Sequence, residues 1–101
     1  MDAADLIAGR FGLLRFHLFN AATGTPIADL EPYLGAPGHM LMTNATLTDT
    51  VHGHPEETGT RTPFITFKPL MPPPGVAKLW LQFQRNGKVT TASFVIDVLE
   101  P

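Results

Sequence analysis

Cysteine is absent from this chain of 101 residues, which excludes disulfides, thiolate metal centres and a cysteine nucleophile, and leaves the redox compartment open. Serine occurs once, at Ser93, so a serine–histidine nucleophile has no support. Carboxylates sit side by side only at Glu56 and Glu57, in a polar stretch where solvation accounts for them. The expectation is a protein that is not an enzyme. Charge is scarce: 16% of residues are charged, the formal net charge is -2, and no basic run occurs. Nothing therefore supplies the positive footprint that nucleic acid or an anionic membrane surface requires. No stretch approaches the ~20 apolar residues of a membrane helix. The opening MDAADLIAGRFGLL lacks the charged start, apolar middle and small-residue cleavage site of a signal peptide. That leaves a cytosolic chain, or one whose export signal has been removed.

What is abundant is punctuation. Ten prolines and nine glycines divide a chain that is 44% hydrophobic, the pattern of many short strands in one domain spanning residues 1–101. Residues 1–10 carry no periodic signal and read as a loosely ordered terminus. From Phe11 to Phe19, Leu14, Phe16 and Leu18 alternate with Arg15, His17 and Phe19, so His17 points away from the core with Arg15. NAATGTP at 20–26 reads as a turn, and residues 27–30 as a short strand ended by Pro32. Tyr33 and Leu34 are expected to plug the core beneath the glycine-rich turn that follows. EETGTRTP at 56–63 reads as a polar loop, FITFK at 64–68 as a strand, and PLMPPPG at 69–75 as a rigid crossover. Asn86-Gly87 between two alternating runs is a strong hairpin signal, because both central residues of such a turn adopt positive φ. Opposed residues there sum to 173, pairing Leu81 with Ala92, Leu79 with Phe94 and Ala77 with Ile96 on an apolar face. The other face, around Trp80 and Gln82, is mixed. The sum is an all-β, immunoglobulin-like Greek-key β-sandwich of about seven strands.

Three of the four histidines lie in YLGAPGHMLMTNATLTDTVHGHP, residues 33–55. A hairpin of residues 39–43 and 48–52, turning between Ala45 and Thr46, opposes residues whose numbers sum to 91 and sets His39 against His52. His54 then projects to the same side as His52, about 6 to 7 Å further along. Opposed Cβ atoms lie roughly 4.5 to 5.5 Å apart, near enough for imidazoles to share an ion. A slip of one residue would separate His39 from His52. Three imidazoles with an open position suit Cu(II) or Zn(II), with Glu56, Glu57 or water completing the shell. Met40 and Met42 point the other way, into the core. The structural alternative is that the HGHP turn uses the His52 and His54 imidazoles to satisfy backbone groups at a strand end, with His39 stacked against it.

DLEPYLGAPGHM (29–40), VHGHP (51–55) and PPPGVAKLWLQFQRNGKVTTASFVIDV (72–98) together resemble small bacterial sandwich domains of the YtkA-like and CopC-like copper-associated type. In that group an LGAxGH turn is followed by a hairpin, an HxHP sequence and a closing PG…LWxQF hairpin. His39 matches the histidine of the first motif, and His52 and His54 match those of the second. Gly53 replaces a usual apolar residue, and Val76 and Ala77 stand where an aromatic residue often follows the PG. The amino terminus lacks the histidine of the CopC copper(II) site, so that site is not transferred. The resemblance implies a periplasmic or extracytoplasmic location and a non-enzymatic metal-binding domain in exported metal handling. Copper is the expected ion and zinc the second, held by His39, His52 and His54. The partner would be another exported metal-handling protein or a second copy, without nucleic acid or membrane insertion. The alternative is an interaction or dimerisation module that binds no metal and docks through the face around Trp80 or through an edge strand.

Overall fold

The computed structural model describes residues 1–57 and 63–101. The centre of the polar stretch expected as a loop, residues 58–62, lies outside the described residues. Among the described residues there is no helix, so none is long and apolar enough to cross a membrane. The described residues form seven strands: β1 (Asp2–Ala4), β2 (Leu13–His17), β3 (His39–Asn44), β4 (Thr50–Gly53), β5 (Phe64–Phe67), β6 (Gly75–Arg85) and β7 (Lys88–Val98). They make two antiparallel sheets, ordered β1-β2-β5 and β4-β3-β6-β7.

Period-two alternation explains how the sheets meet. Leu14 and Phe16 of β2 and Ile65 and Phe67 of β5 face Met40 and Met42 of β3, Leu79 and Leu81 of β6, and Ile96 and Val98 of β7 in one buried cluster. Phe16 links the layers, its ring centroid 5.9 Å from that of Phe67 and 5.2 Å from that of Phe94. The β6–β7 hairpin forms in the register read from the sequence, Leu81 opposite Ala92 and Leu79 opposite Phe94. Asn86 and Gly87 sit at φ 53° and 72°, the two left-handed residues of a type I′ turn. Met71 is buried, a packing residue rather than a loop tip.

Four expectations change. The amino terminus is held by pairing: β1 runs antiparallel to β2, the Ala8 amide donates to the Leu99 carbonyl at 2.9 Å, and the Gly9 amide to the Met71 carbonyl at 3.2 Å. Three-residue edge strands are too short to leave a periodic signal. Residues 27–30 form no strand, although Ile27 and Leu30 are buried and the Ile27 amide donates to the Leu18 carbonyl at 2.9 Å. Leu34 plugs nothing and is 78% exposed. It sits at φ 52° beside Gly35 at φ 83°, at the tip of a tight turn closed by Tyr33 and Ala36, so its side chain is thrown outward. The fourth change is the β3–β4 register, which decides the geometry of the histidines.

Candidate functional site

β3 and β4 pair Leu41 with His52, Met42 with Val51 and Thr43 with Thr50. Opposed numbers sum to 93, not 91. The expected hairpin, with Thr43 opposite Thr48, would close a loop of residues 44–47 centred between Ala45 and Thr46. The chain instead makes a longer loop with one left-handed residue, Leu47 at φ 58°. Asn44 organises it: its Oδ1 accepts from the amides of Thr48 and Asp49, both at 3.0 Å, and its Nδ2 donates to the Thr48 hydroxyl at 2.9 Å. The displacement is two residues, so the face of every side chain is kept. His52 and His39 stay on the outer face of the four-stranded sheet, but diagonally related. Such neighbours are roughly 7 to 8 Å apart at Cα and within reach of aromatic side chains.

The two imidazoles line one cleft of about 250 Å³ together with Leu41, Trp80, Gln82 and Thr91. Sheet pairing dictates this company. His39 lies beside Gln82 and Leu41 beside Trp80 on β6, while Gln82 lies beside Thr91 on β7. The Gln82 amide donates to the Thr91 hydroxyl at 3.1 Å. The Lys78 ammonium rests 5.3 Å from the centroid of the Trp80 ring, a cation–π contact at the cleft's margin.

His39 is the most constrained member. Its Nε2 lies 2.7 Å from the Tyr33 carbonyl oxygen. A carbonyl only accepts, so Nε2 carries the proton, and in the neutral ring Nδ1 holds the lone pair. The Tyr33 ring meets the imidazole edge-on at 5.5 Å between centroids. His39 thus takes a role that the structural alternative gave to the HGHP imidazoles, satisfying a backbone carbonyl, and its ring meets Tyr33. The carbonyl contact is also the outer support that a ligating imidazole typically has.

His54 stands apart. β4 ends at Gly53, and the chain then crosses to the other sheet, where Pro55 bridges Phe67. The crossing is tight: a Cβ on Gly53 would lie 2.7 Å from the Met40 methyl and 3.0 Å from the Phe67 ring. His54 is exposed and lines a neighbouring cleft with His52, Glu56 and Lys68. Glu57, expected as a supplementary ligand, is occupied. Its carboxylate accepts from the Thr66 amide at 2.6 Å and the Thr66 hydroxyl at 2.7 Å, while the Arg15 guanidinium donates to that hydroxyl at 3.1 Å. Among the described residues no group of three or more histidine, aspartate or glutamate side chains is placed to hold a metal ion. His39 and His52 line one cleft and His52 and His54 the next, and among the described residues the three are not gathered into one group. His17, set aside from the site, bonds to Asp2 at 2.7 Å through Nε2.

Sequence reasoning missed Tyr33, Gln82 and Thr91 as members of this site. The register of the closing hairpin placed Gln82 opposite Thr91, a signal that was legible. What joined that pair to His39 is the β3–β6 pairing, between segments about forty residues apart.

The model of a family described as Domain of unknown function (DUF8832) matches residues 1–100. No curated protein and no solved structure matches the chain.

Proposed function

We propose that this chain, which belongs to the family described as Domain of unknown function (DUF8832), is a non-enzymatic binding module for a transition metal ion, copper before zinc, in exported metal handling. The observation that carries the reading is the cleft shared by His39 and His52, with the His39 ring held by the Tyr33 carbonyl so that Nδ1 is its only lone-pair nitrogen. The resemblance of the LGAPGH and HGHP motifs to copper-associated domains supplies the choice of metal and the extracytoplasmic setting. Imidazole suits copper and zinc. A three-histidine centre does not fit the arrangement described. A two-imidazole seat does, with His54 at the rim of the next cleft. Closed structural sites use four protein ligands. Two ligands and an open approach instead suit an ion that is taken up and passed on.

Calorimetric titration with Cu(II) and Zn(II) tests this. Wild type should bind with an affinity of about micromolar or tighter, His52→Ala should abolish the heat, and His54→Ala should retain most of it. Affinity should fall on acidification, because an imidazole ligand must be deprotonated. Heat indistinguishable from dilution in the wild type, or equal binding by His52→Ala, would end the metal reading.

A second reading is favoured by the half-buried Trp80 on the outer face, with the Lys78 ammonium 5.3 Å from its ring centroid. It is a metal-free interaction module whose working face is the half-buried Trp80, the Lys78 stem and the neighbouring cleft. Binding that persists unchanged when both His39 and His52 are replaced, and is lost with Trp80→Ala, would select it.

A further inference from the structure

We infer that the chain forms a twofold dimer by antiparallel pairing of β7 with β7 of a second copy, extending the four-stranded sheet to eight strands. This stands apart from the metal reading and holds whether or not an ion binds. The other sheet edges are short or covered: β1 has three residues and β4 has four, while β5 is met by Pro55 and by the Glu56 amide, which donates to the Thr66 carbonyl at 2.8 Å. β7 has eleven residues. Among the described residues no backbone hydrogen bond reaches its outer edge before Leu99, which pairs with Leu6 and Ala8. Long open edges are usually blunted by charge, proline or a bulge. From Val89 to Ile96 this one carries none of these.

The hairpin determines which groups are offered. Arg85 and Lys88 flank a two-residue turn and exchange hydrogen bonds, so the pattern alternates from there. Val89, Thr91, Ser93 and Val95 consequently direct their N–H and C=O outward, and their side chains lie on the outer face with Gln82 and Trp80. A second copy related by a twofold axis perpendicular to the sheet keeps its outer face on the same side, so odd-numbered residues must oppose odd-numbered residues. With the axis at Ala92, Val89 meets Val95 and Thr91 meets Ser93, each twice, in favourable cross-strand pairs. That register stops short of Leu99, where the edge is already taken.

Charge selects the occupant and the direction. Lys88 is the only cation of β7 and Asp97 its only anion, at opposite ends of the strand and both exposed. Antiparallel self-pairing brings the cationic end of each copy to the anionic end of the other; parallel pairing would set like charges together.

Sedimentation velocity across a wide concentration range, on the full chain without added metal, tests the dimer. Wild type should rise to twice the monomer mass. Ser93→Pro, which removes an outward N–H and none of the bonds to β6, should stay monomeric with a native near-ultraviolet spectrum. Val89→Lys, which places a charge on the edge, should weaken association should the proline variant fail to fold. The register is read with Ala92→Cys, the sole thiol in an otherwise cysteine-free chain: on the axis it should cross-link to its own copy faster than Thr46→Cys at the distant β3–β4 loop. A wild type that remains monomeric throughout, edge variants that associate as the wild type does, or equal cross-linking of the two thiols would overturn the inference.

Discussion

At the scale of single residues, Gly53 and His39 carry the consequences. A methyl group on Gly53 would meet Met40 and Phe67 at less than contact distance, both of them fully buried. Gly53→Ala should therefore cost about 1 to 3 kcal/mol through overpacking. For a domain of this size that is roughly 4 to 8 °C of melting temperature per kcal/mol. Thermal melts would show it, and an unchanged midpoint would mean that the two sheets yield at this point. The residue identities at 39, 52 and 54 were plain in the sequence, as was the common face of His39 and His52. Their separation was not, because the distance between two side chains on a ribbon depends on how its turn is closed.

The turn belongs to the scale of elements. In the β3–β4 hairpin the Asn44 side chain takes the place of a second backbone turn, satisfying the amides of Thr48 and Asp49. Asn44→Ala leaves both amides without that acceptor. The expected loss is about 1 to 2 kcal/mol, read from chemical denaturation, with broadened resonances of residues 45–49 if the register begins to slip back. No loss would show that strand pairing alone holds the displaced register. The contrast with β6–β7 is instructive. There Asn86-Gly87 accepts two left-handed residues at little cost, so the turn and the register were both readable. Residues 44–49 hold no such pair, and the choice passed to the Asn44 side chain, whose reach no periodicity records.

At the scale of the molecule, the long 18–38 segment is fastened to the far end of the β6–β7 hairpin. The Glu31 amide donates to the Gln84 carbonyl at 2.8 Å, the Glu31 carboxylate accepts from the Gly87 amide, and Arg85 donates to Asp29 at 2.8 Å. The Asp29 carboxyl is held below its ordinary value of 3.8, first by the hydrogen bond from Arg85, with desolvation opposing it next, and then by the charge of that guanidinium and a backbone hydrogen bond. A carboxyl that is more acidic in the folded than in the unfolded state stabilises above its unfolded value, and loses that contribution as pH falls through the lower folded value. The pair is solvent-exposed, so the effect is small and screened by salt. Asp29→Asn should accordingly be slightly less stable than wild type at neutral pH and equal to it in strong acid, as measured by urea midpoints. A gap that widens on acidification would refute the assignment.

The sequence by itself determined the class of the fold, the inward set of Leu14, Phe16, Met40, Met42, Leu79 and Leu81, and the register of the closing hairpin. Each of these follows from period-two burial or from a turn whose φ angles only certain residues accept. Tertiary structure alone decided that His39 stands beside Gln82 and Thr91, that His54 is carried away toward the second sheet, and that Glu57 is consumed by Thr66. These depend on pairing between segments distant in the chain and on a two-residue displacement that leaves every hydrophobic pattern intact. A shift by a whole period is invisible to periodicity, while to two imidazoles it is the difference between facing each other and standing on a diagonal.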